Sequence, residues 1–360
     1  MRLIEPLGLL HGPAAGETVA TGLALWLAGG PSAFTLARLI ERGTASRLIA
    51  APAIPAEWDI ERTHVTRAPR PWVGLAAAGP QVMGVLNVTP DSFSDGGIYL
   101  DPGRAIAAAQ AMIAAGATIL DIGGESTRPG AAPVTPGQEQ ARILPVIRAL
   151  AGRCLISVDT RHANTMAAAL DAGADIINDV SGLTHDPAAA ALLARSGCPV
   201  VLMHMRGVPS TMARYAHYDD PAVEITLELA ERIALAETAG IARDKIAIDP
   251  GIGFAKNTSH NRDVLLRLPL LANLSCRIIL GVSRKSLIGQ LTEEKDPSRR
   301  FPGSVAAGLV GVMGGATILR VHDVPETIQA LRVWRGIVIC ETAPAARYSS
   351  NVATPSQALS

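Results

Sequence analysis

Aromatic residues are scarce, at 3% of the 360 residues, which argues against the base-stacking platforms that bind single-stranded nucleic acid. No excess of one charge sign exists either. Lys and Arg number 32, Asp and Glu number 32, and the net charge is zero. A polyanion-binding surface therefore has no global support, although a local basic pocket remains possible. There are only four cysteines, Cys154, Cys198, Cys276 and Cys340, and their wide spacing excludes a CxxC or zinc-ribbon pattern. They read as isolated thiols of a reducing compartment, mostly small core residues. No apolar run reaches the roughly 18 residues of a membrane span. The opening MRLIEPLGLLHGPAAGE lacks a cationic stretch followed by an uninterrupted apolar one, so neither a secretory signal nor a membrane partner is expected, and a cytoplasmic location is.

What the chain does have is apolar bulk. Hydrophobic residues make up 48%, charged residues 18%, and the mean hydropathy is +0.26. A large core follows, and general disorder is excluded. The length suits one large α/β barrel plus an appendage. Residues 1–80 form that appendage, with a role the sequence does not disclose. A helix is expected around Phe34, Leu36, Leu39 and Ile40, ending near Gly43, and a strand over 47–51. Pro52, Pro55, Pro69, Pro71 and Pro80 then punctuate the way to the next unit. Residues 81–340 are expected to form the main domain and 341–360 a frayed tail.

Within 81–340 short β-branched runs alternate with Ala- and Leu-rich helical stretches. Strands are expected at 82–89, 118–123, 155–160, 175–181, 200–205, 245–250, 278–283 and 318–322. Helices are expected near 102–115, 138–151, 162–172, 187–196, 221–239, 261–268, 303–314 and 325–336. Repeated βα units of about 33 residues, with strands apolar throughout, predict an α/β fold, a (β/α)8 TIM barrel with an N-terminal appendage. An open doubly wound sheet is the alternative. Asp-Pro pairs at 101–102, 186–187 and 220–221 mark helix starts. Gly116, Gly173, Gly197 and Gly240 mark helix ends.

Polar residues collect at the strand C-termini: Asn87 and Asp91, Asp121 with 125–128, Asp159-Thr160, Asn178-Asp179, His204, Asp249, 283–286, and Arg320 with His322. In a barrel these ends meet at one mouth. One such Asp is usually a cap; eight polar strand ends argue for a shared pocket. Side chains two apart share a face, so Arg320 and His322 point together, as do Ser283 and Lys285 if the strand geometry continues. Arg320 and His322, joined by Arg128 if it reaches the same mouth, would form a cationic pocket suited to phosphate or pyrophosphate. Asp159, Asn178 and Asp249 can hydrogen-bond a flat heterocycle bearing amino and ring N–H groups. Asp91 and Asp95 could be functional or merely solvated. His204 turns away from Met203 and is expected to be packed and hydrogen-bonded. His162, His185, His217 and His260 look like surface residues, and Cys198 a core one. The glycine spacings match neither the Walker nor the Rossmann pattern.

The ordered motifs resemble those of the dihydropteroate synthases, a pterin-binding family. They are MGVLNVTPDSFSDGG (83–97), GATILDIGGESTRPG (116–130), SVDT (157–160), INDVSG (177–182), LMHM (202–205), DPGIGF (249–254), SRKS (283–286) and RVHD (320–323). Each is weak alone; the ordered set, from about 81 to 335, is specific. The resemblance implies that Asp159, Asn178, Asp249 and Lys285 hold a pterin ring, with Met203 packed against it. It implies that Asn87, Arg128, Arg320 and His322 hold pyrophosphate, with Asn87 beside Mg2+. Thr127, Arg128, Pro129, Phe254, Lys285 and Ser286 would border a 4-aminobenzoate site, with Phe93 closing over it. The loops 88–97 and 125–136 would be mobile, and the chain would be a homodimer. The long appendage is the one departure from the family's bacterial pattern.

The implied reaction joins 4-aminobenzoate to 6-hydroxymethyl-7,8-dihydropterin pyrophosphate, with Asp159, Arg320, His322 and Lys285 as catalytic groups. C–O cleavage would run ahead of amine attack, and sulfonamides would compete with aminobenzoate. Two rivals remain at the level of sequence. A pterin-binding methyltransferase would share the ring-binding Asp and Asn but would not need 127–129, SRKS or the Arg320/His322 pair. A non-enzymatic pterin-binding homologue would not need intact charged positions.

Overall fold

The computed structural model describes residues 2–75, 79–89, 102–126 and 134–339. The chain opens with β1 (Arg2–Leu10), α1 (Pro13–Ala20), β2 (Leu25–Trp26), β3 (Ala33–Glu41), β4 (Arg47–Ala50) and α2 (Asp59–Thr66). β1 and β3 pair antiparallel from Arg2↔Glu41 to Leu10↔Ala33, and β2 and β4 pair with the other edge of β3. The segment expected to be helical, Phe34 to Gly43, is therefore a strand. Its apolar residues fit either period over so short a run. The long pairing with β1, which no local signal reveals, decides the outcome, and Ala37 and Leu39 bury one face. Pro6 sits in β1, at the edge of the sheet, where a missing N–H is tolerated.

This small sheet is fastened to the rest of the chain by buried polar contacts. The Asn273 side chain accepts from Ile4 N at 3.0 Å and donates to Ile4 O at 2.8 Å. Glu5 is 1% exposed and binds Arg38 at 2.7 Å and Arg267 at 2.5 Å. Arg267 also reaches Asp220 at 2.6 Å. Leu3 packs with Ala222 and Leu270.

Eight parallel strands follow: β5 (Gln81–Asn87), β6 (Ile119–Gly123), β7 (Leu155–Asp159), β8 (Ile176–Asp179), β9 (Val200–Met203), β10 (Ile246–Asp249), β11 (Arg277–Leu280) and β12 (Ile318–Val321). They close in sequence order into a barrel, with β12 pairing β5, so the open-sheet alternative is excluded. The surrounding helices are α3 (Pro102–Ala115), α4 (Pro136–Leu150), α5 (Ala163–Asp171), α6 (Ala189–Ser196), α7 (Pro221–Thr238), α8 (Thr258–Leu266), α9 (Ser286–Thr292), α10 (Phe301–Met313) and α11 (Val324–Val338). All eight expected helices are present; the short α9 is an addition. Asp220 caps α7 by accepting from Val223 N at 3.2 Å. Asp186 departs from the expected pattern. It accepts from Ala188 N at 2.9 Å and also from Ala163 N at 2.8 Å, at the start of a neighbouring helix. Asp101 lies outside the described residues.

Strand alternation sorts the barrel interior into layers. Met83, Ile119, Ile176, Val201, Ala247, Ile279 and Ile318 form an apolar floor, closed from below by Trp72. Trp72 is 1% exposed and donates Nε1 to Lys245 O at 3.0 Å. Two positions further along several strands, the inward residues become polar: Asp121, Asn178, Asp249 and Arg320. The apolar floor thus supports a charged mouth.

Candidate active site

Asp159, at the end of β7, sits level with Gly123 of β6 and Asn178 of β8. Bare Cα positions make room between the groups. A Cβ on Gly123 would lie 3.6 Å from Asp159 Cβ and 3.8 Å from Asn87 Oδ1. One on Gly281 would lie 3.5 Å from Asp249 Oδ2, 3.7 Å from Lys285 Nζ and 3.9 Å from Arg320 Cδ. Residues from six strands and the turn after β11 therefore converge on one cleft at the C-terminal end of the barrel.

Arg320 is the hub. Its Nε donates to Asp121 Oδ2 at 2.6 Å and its Nη2 to Asp159 Oδ2 at 2.9 Å. Asn178 Nδ2 donates to the same Asp121 oxygen at 3.0 Å. Asp121 is fully buried, and its Oδ1 has no hydrogen-bond partner among the described residues. A buried carboxylate oxygen without a donor is costly unless a ligand supplies one. Asp121 was visible as a polar strand end, but its contacts with Arg320 and Asn178 were missed. The signal was its inward register two residues after the floor residue Ile119.

Burial pushes the Asp159 carboxyl up to about 8, opposed by Arg320 and reinforced by Asp121. Burial also raises the pKa of Asp249, against the pull of Lys285, and lowers the Lys285 ammonium to about 8, against the pull of Asp249. Burial opposes the charge on Arg320 too, but Asp121 and Asp159 hold its pKa above the ordinary value. The cleft thus holds titratable groups near neutrality beside one fixed cation, as expected of a site that handles changing charge.

Lys285 hydrogen-bonds Ile252 O and lies 4.8 Å from the Phe254 ring centroid. Strand geometry does not continue after β11: Arg284 has φ of 59° and pairs with Asp323. Ser283 and Lys285 therefore part company. Ser283 Oγ accepts from His322 N at 3.1 Å and lies 3.1 Å from His322 Nδ1. Met203 is 5% exposed and clusters with Val180, Met205, Met212 and Phe254, an apolar wall. Ser286 is exposed at the first turn of α9. Phe93, Thr127, Arg128, Pro129, Asp91 and Asp95 lie outside the described residues.

The loop after β10 is held from beneath. Lys256 is buried, and its Nζ lies 2.9 Å from His204 Nδ1, Gly251 O and Phe254 O. Lysine can only donate, so His204 Nδ1 accepts and its Nε2 carries the hydrogen toward Glu228 Oε2, 3.0 Å away. His204 is packed and hydrogen-bonded as expected, while Lys256 was overlooked because no short motif marks it. A Cβ on Gly251, which has φ of +67°, would fall 2.0 Å from His204 O; only glycine fits there. His185 and His217 are exposed, whereas His162 and His260 are half-buried, contrary to a surface role for all four. His162 packs edge-on to His185 at 5.1 Å. Cys198 is buried.

Lys256→Met removes three hydrogen bonds and leaves their acceptors buried. The expected loss is about 2–4 kcal/mol, from one or two unsatisfied groups at about 1–3 kcal/mol each, measured by urea unfolding. Burial lowers the His204 pKa to about 4, so folding prefers the neutral ring. The stability that His204 contributes is then full above the unfolded pKa of about 6.5 and declines as pH falls toward 4. The advantage of wild type over His204→Gln should shrink across that window.

A family model described as "Pterin binding enzyme" matches residues 83–322. The Escherichia coli (strain K12) dihydropteroate synthase is 49% identical over 261 residues, 72% of this chain and 92% of that protein. The Yersinia pestis dihydropteroate synthase, solved with a sulfonamide drug complex, is 46% identical with a TM-score of 0.70, covering 72% of this chain and 94% of that one. The Xanthomonas albilineans dihydropteroate synthase, solved in complex with 7,8-dihydropteroate, is 43% identical with a TM-score of 0.66, covering 75% and 97%.

Proposed function

The chain belongs to the pterin-binding enzymes, among the dihydropteroate synthases, and from that membership we propose how its own residues divide the work. The enzyme is a transferase of folate biosynthesis. It condenses 6-hydroxymethyl-7,8-dihydropterin pyrophosphate with 4-aminobenzoate, giving 7,8-dihydropteroate and pyrophosphate. The observation that carries the division of roles is the orphaned, buried Asp121 oxygen beside Asn178, at the level where a flat N–H-rich ring would lie.

Asp121, Asn178 and Asp249 supply the acceptors for the pterin, and Asn178 keeps its Oδ1 for a ring N–H. Lys285 lies against the ring edge from the Asp249 side, with Met203 as the apolar face. Arg320 and His322 take the pyrophosphate with Asn87, and the family resemblance adds Arg128 to that set. The bond from the pterin methylene carbon to the pyrophosphate oxygen breaks first, and that oxygen keeps the electron pair. The electron-rich ring then carries a cation that Asp159, 2.9 Å from Arg320 Nη2, stabilises. The aminobenzoate nitrogen forms the new C–N bond and releases its proton. Phe254, Ser286 and Lys285 border that amine, and the family resemblance adds Thr127, Pro129 and Phe93 to the same set. Holding both substrates in one cleft supplies the remaining advantage by proximity.

Among the described residues no group of three or more His, Cys, Asp or Glu is placed to hold a metal ion. Asn87 offers one hard amide oxygen, facing the bare Cα of Gly123. That donor set fits a Mg2+ that takes its other ligands from water and pyrophosphate. When bound, Mg2+ would neutralise the leaving group's charge.

The homodimer is proposed on Phe301, Val310, Val333 and Ile337, all exposed on the neighbouring helices α10 and α11. A cytoplasmic setting is supported by Cys154, Cys198 and Cys276, which are free thiols. No helix among the described residues is long and apolar enough to cross a membrane. The purified chain should form 7,8-dihydropteroate when both substrates and Mg2+ are present, and a sulfonamide should compete with aminobenzoate. No dihydropteroate from the two substrates, or indifference to chelation, would contradict the roles assigned here.

A further inference from the structure

A second concavity lies at the opposite pole of the barrel, beneath the floor. It encloses about 310 Å3, near the lower end of small-ligand pockets at about 300–1,000 Å3. One wall comes from the N-terminal appendage (Thr63, His64, Arg67, Arg70 and Trp72) and the other from the barrel (Arg243, Asp244, Ser275 and Arg277). The appendage wall is fixed in place. Ala28 N donates to Val65 O and Gly29 N to Thr66 O, both at 2.8 Å, and Trp72 Nε1 is tied to Lys245 O.

Arg277 is the informative residue. It begins β11 and stands level with the floor residue Ala247, two positions before Ile279. Alternation therefore turns it inward at the bottom of the barrel. It is 2% exposed, and its Nε and Nη2 have no hydrogen-bond partner among the described residues. Ser275 Oγ, in the same lining, is also buried without a partner among them. An arginine does not lose its proton in a protein, so this buried cation must be compensated or costs several kcal/mol. No carboxylate among the described residues pairs with it. Arg243 is already engaged with Glu237 at 2.7 Å. Arg67 and Arg70 add two exposed guanidinium groups, and Asp244 is the only acidic residue among the described lining. In a chain of zero net charge, four arginines around one cavity with two orphaned polar side chains form a cradle for an anion.

We propose that this cavity is a second ligand site, distinct from the catalytic mouth, that binds a compact phosphate-type anion between the appendage and the barrel floor. The planar forks of Arg277, Arg70 and Arg67 match tetrahedral phosphate oxygens, and Ser275 Oγ adds a neutral donor. Residues 63–72 of the appendage thereby contribute two of the three arginines that hold the anion. Bound anion joins the two walls, so occupancy stabilises the docked arrangement by mass action.

The test is calorimetric titration of the full chain with inorganic phosphate and, separately, with inorganic pyrophosphate. Wild type, Arg70→Ala and Arg277→Met are compared, and none of these changes touches the mouth. Wild type should bind one more equivalent of anion than either variant, or bind that equivalent at least tenfold more tightly. A response to pyrophosphate alone would identify a diphosphate site, and a response to both a single-phosphate site. Arg277→Met should also melt no lower than wild type in anion-free buffer, because it removes an uncompensated buried charge. Both variants should keep the wild-type KM for both substrates within twofold. Equal stoichiometry and affinity in all three proteins would overturn the proposal. So would a lower anion-free melting temperature for Arg277→Met, which would mark the residue as structural.

Discussion

Arg320→Ala is expected to lower kcat/KM by at least about 10²–10³-fold, the range seen when one donor to a developing anion is removed. Two functions are lost together. Arg320 is, on the proposed division of roles, the fixed cation for the leaving group, and its Nε and Nη2 hold Asp121 and Asp159 in one orientation. Without it, fully buried Asp121 keeps only the neutral Asn178 amide as a hydrogen-bond partner among the described residues. A stability loss of about 3–5 kcal/mol should accompany the kinetic defect, as for other pairs broken from one side. Arg320→Lys separates the two effects. It keeps a charge but loses the fork that spans two carboxylates, so it should recover most of the stability and little of the rate. Wild-type turnover in a folded Arg320→Ala protein would remove this residue from the mechanism.

Asp159→Asn should reduce kcat by about 10²-fold or more while leaving pterin binding within a few fold. The amide keeps the shape and can still accept from Arg320, but it cannot stabilise a developing cation. The same substitution carries a pH signature with a defined sign. Burial raises the Asp159 pKa to about 8, so the empty fold prefers the protonated acid. The native state then holds a proton that the unfolded chain releases near pH 3.9, and stability declines as pH rises from about 4 to about 8. Asn has no such slope. The melting temperature of Asp159→Asn relative to wild type should therefore climb across that window, and a constant difference would count against the buried carboxyl. A variant less active yet equally or more stable shows a group placed for chemistry at the expense of the resting fold.

The barrel was legible because its signals agree at several levels: apolar runs of strand length, alternating helices, and polar residues confined to strand ends. Register made the site legible as well. Arg320 and Asp249 lie where period-two reasoning sets them. The helix expected over Phe34 to Gly43 failed because a nine-residue run has no private period, and its longest pairing is with β1, more than twenty residues away. Ser283 and Lys285 separated because Arg284 adopts a positive φ that alternation cannot anticipate. Lys256 and Arg277 stayed hidden for a different reason. Each is a single long cation whose meaning comes from what surrounds it in space, and neither belongs to a run or a repeat. Asp121 was seen but left without a role, because its neighbours in sequence say nothing about Arg320, 199 positions away.

The most direct check is a crystal structure of the chain with a non-reacting analogue of the pterin pyrophosphate. The arrangement described here places the pterin ring edge within hydrogen-bond distance of Asp121, Asn178 and Asp249, with Lys285 alongside and the diphosphate on Arg320 and His322. Density for the ring outside the cleft over Gly281, or a diphosphate turned away from Arg320, would contradict it.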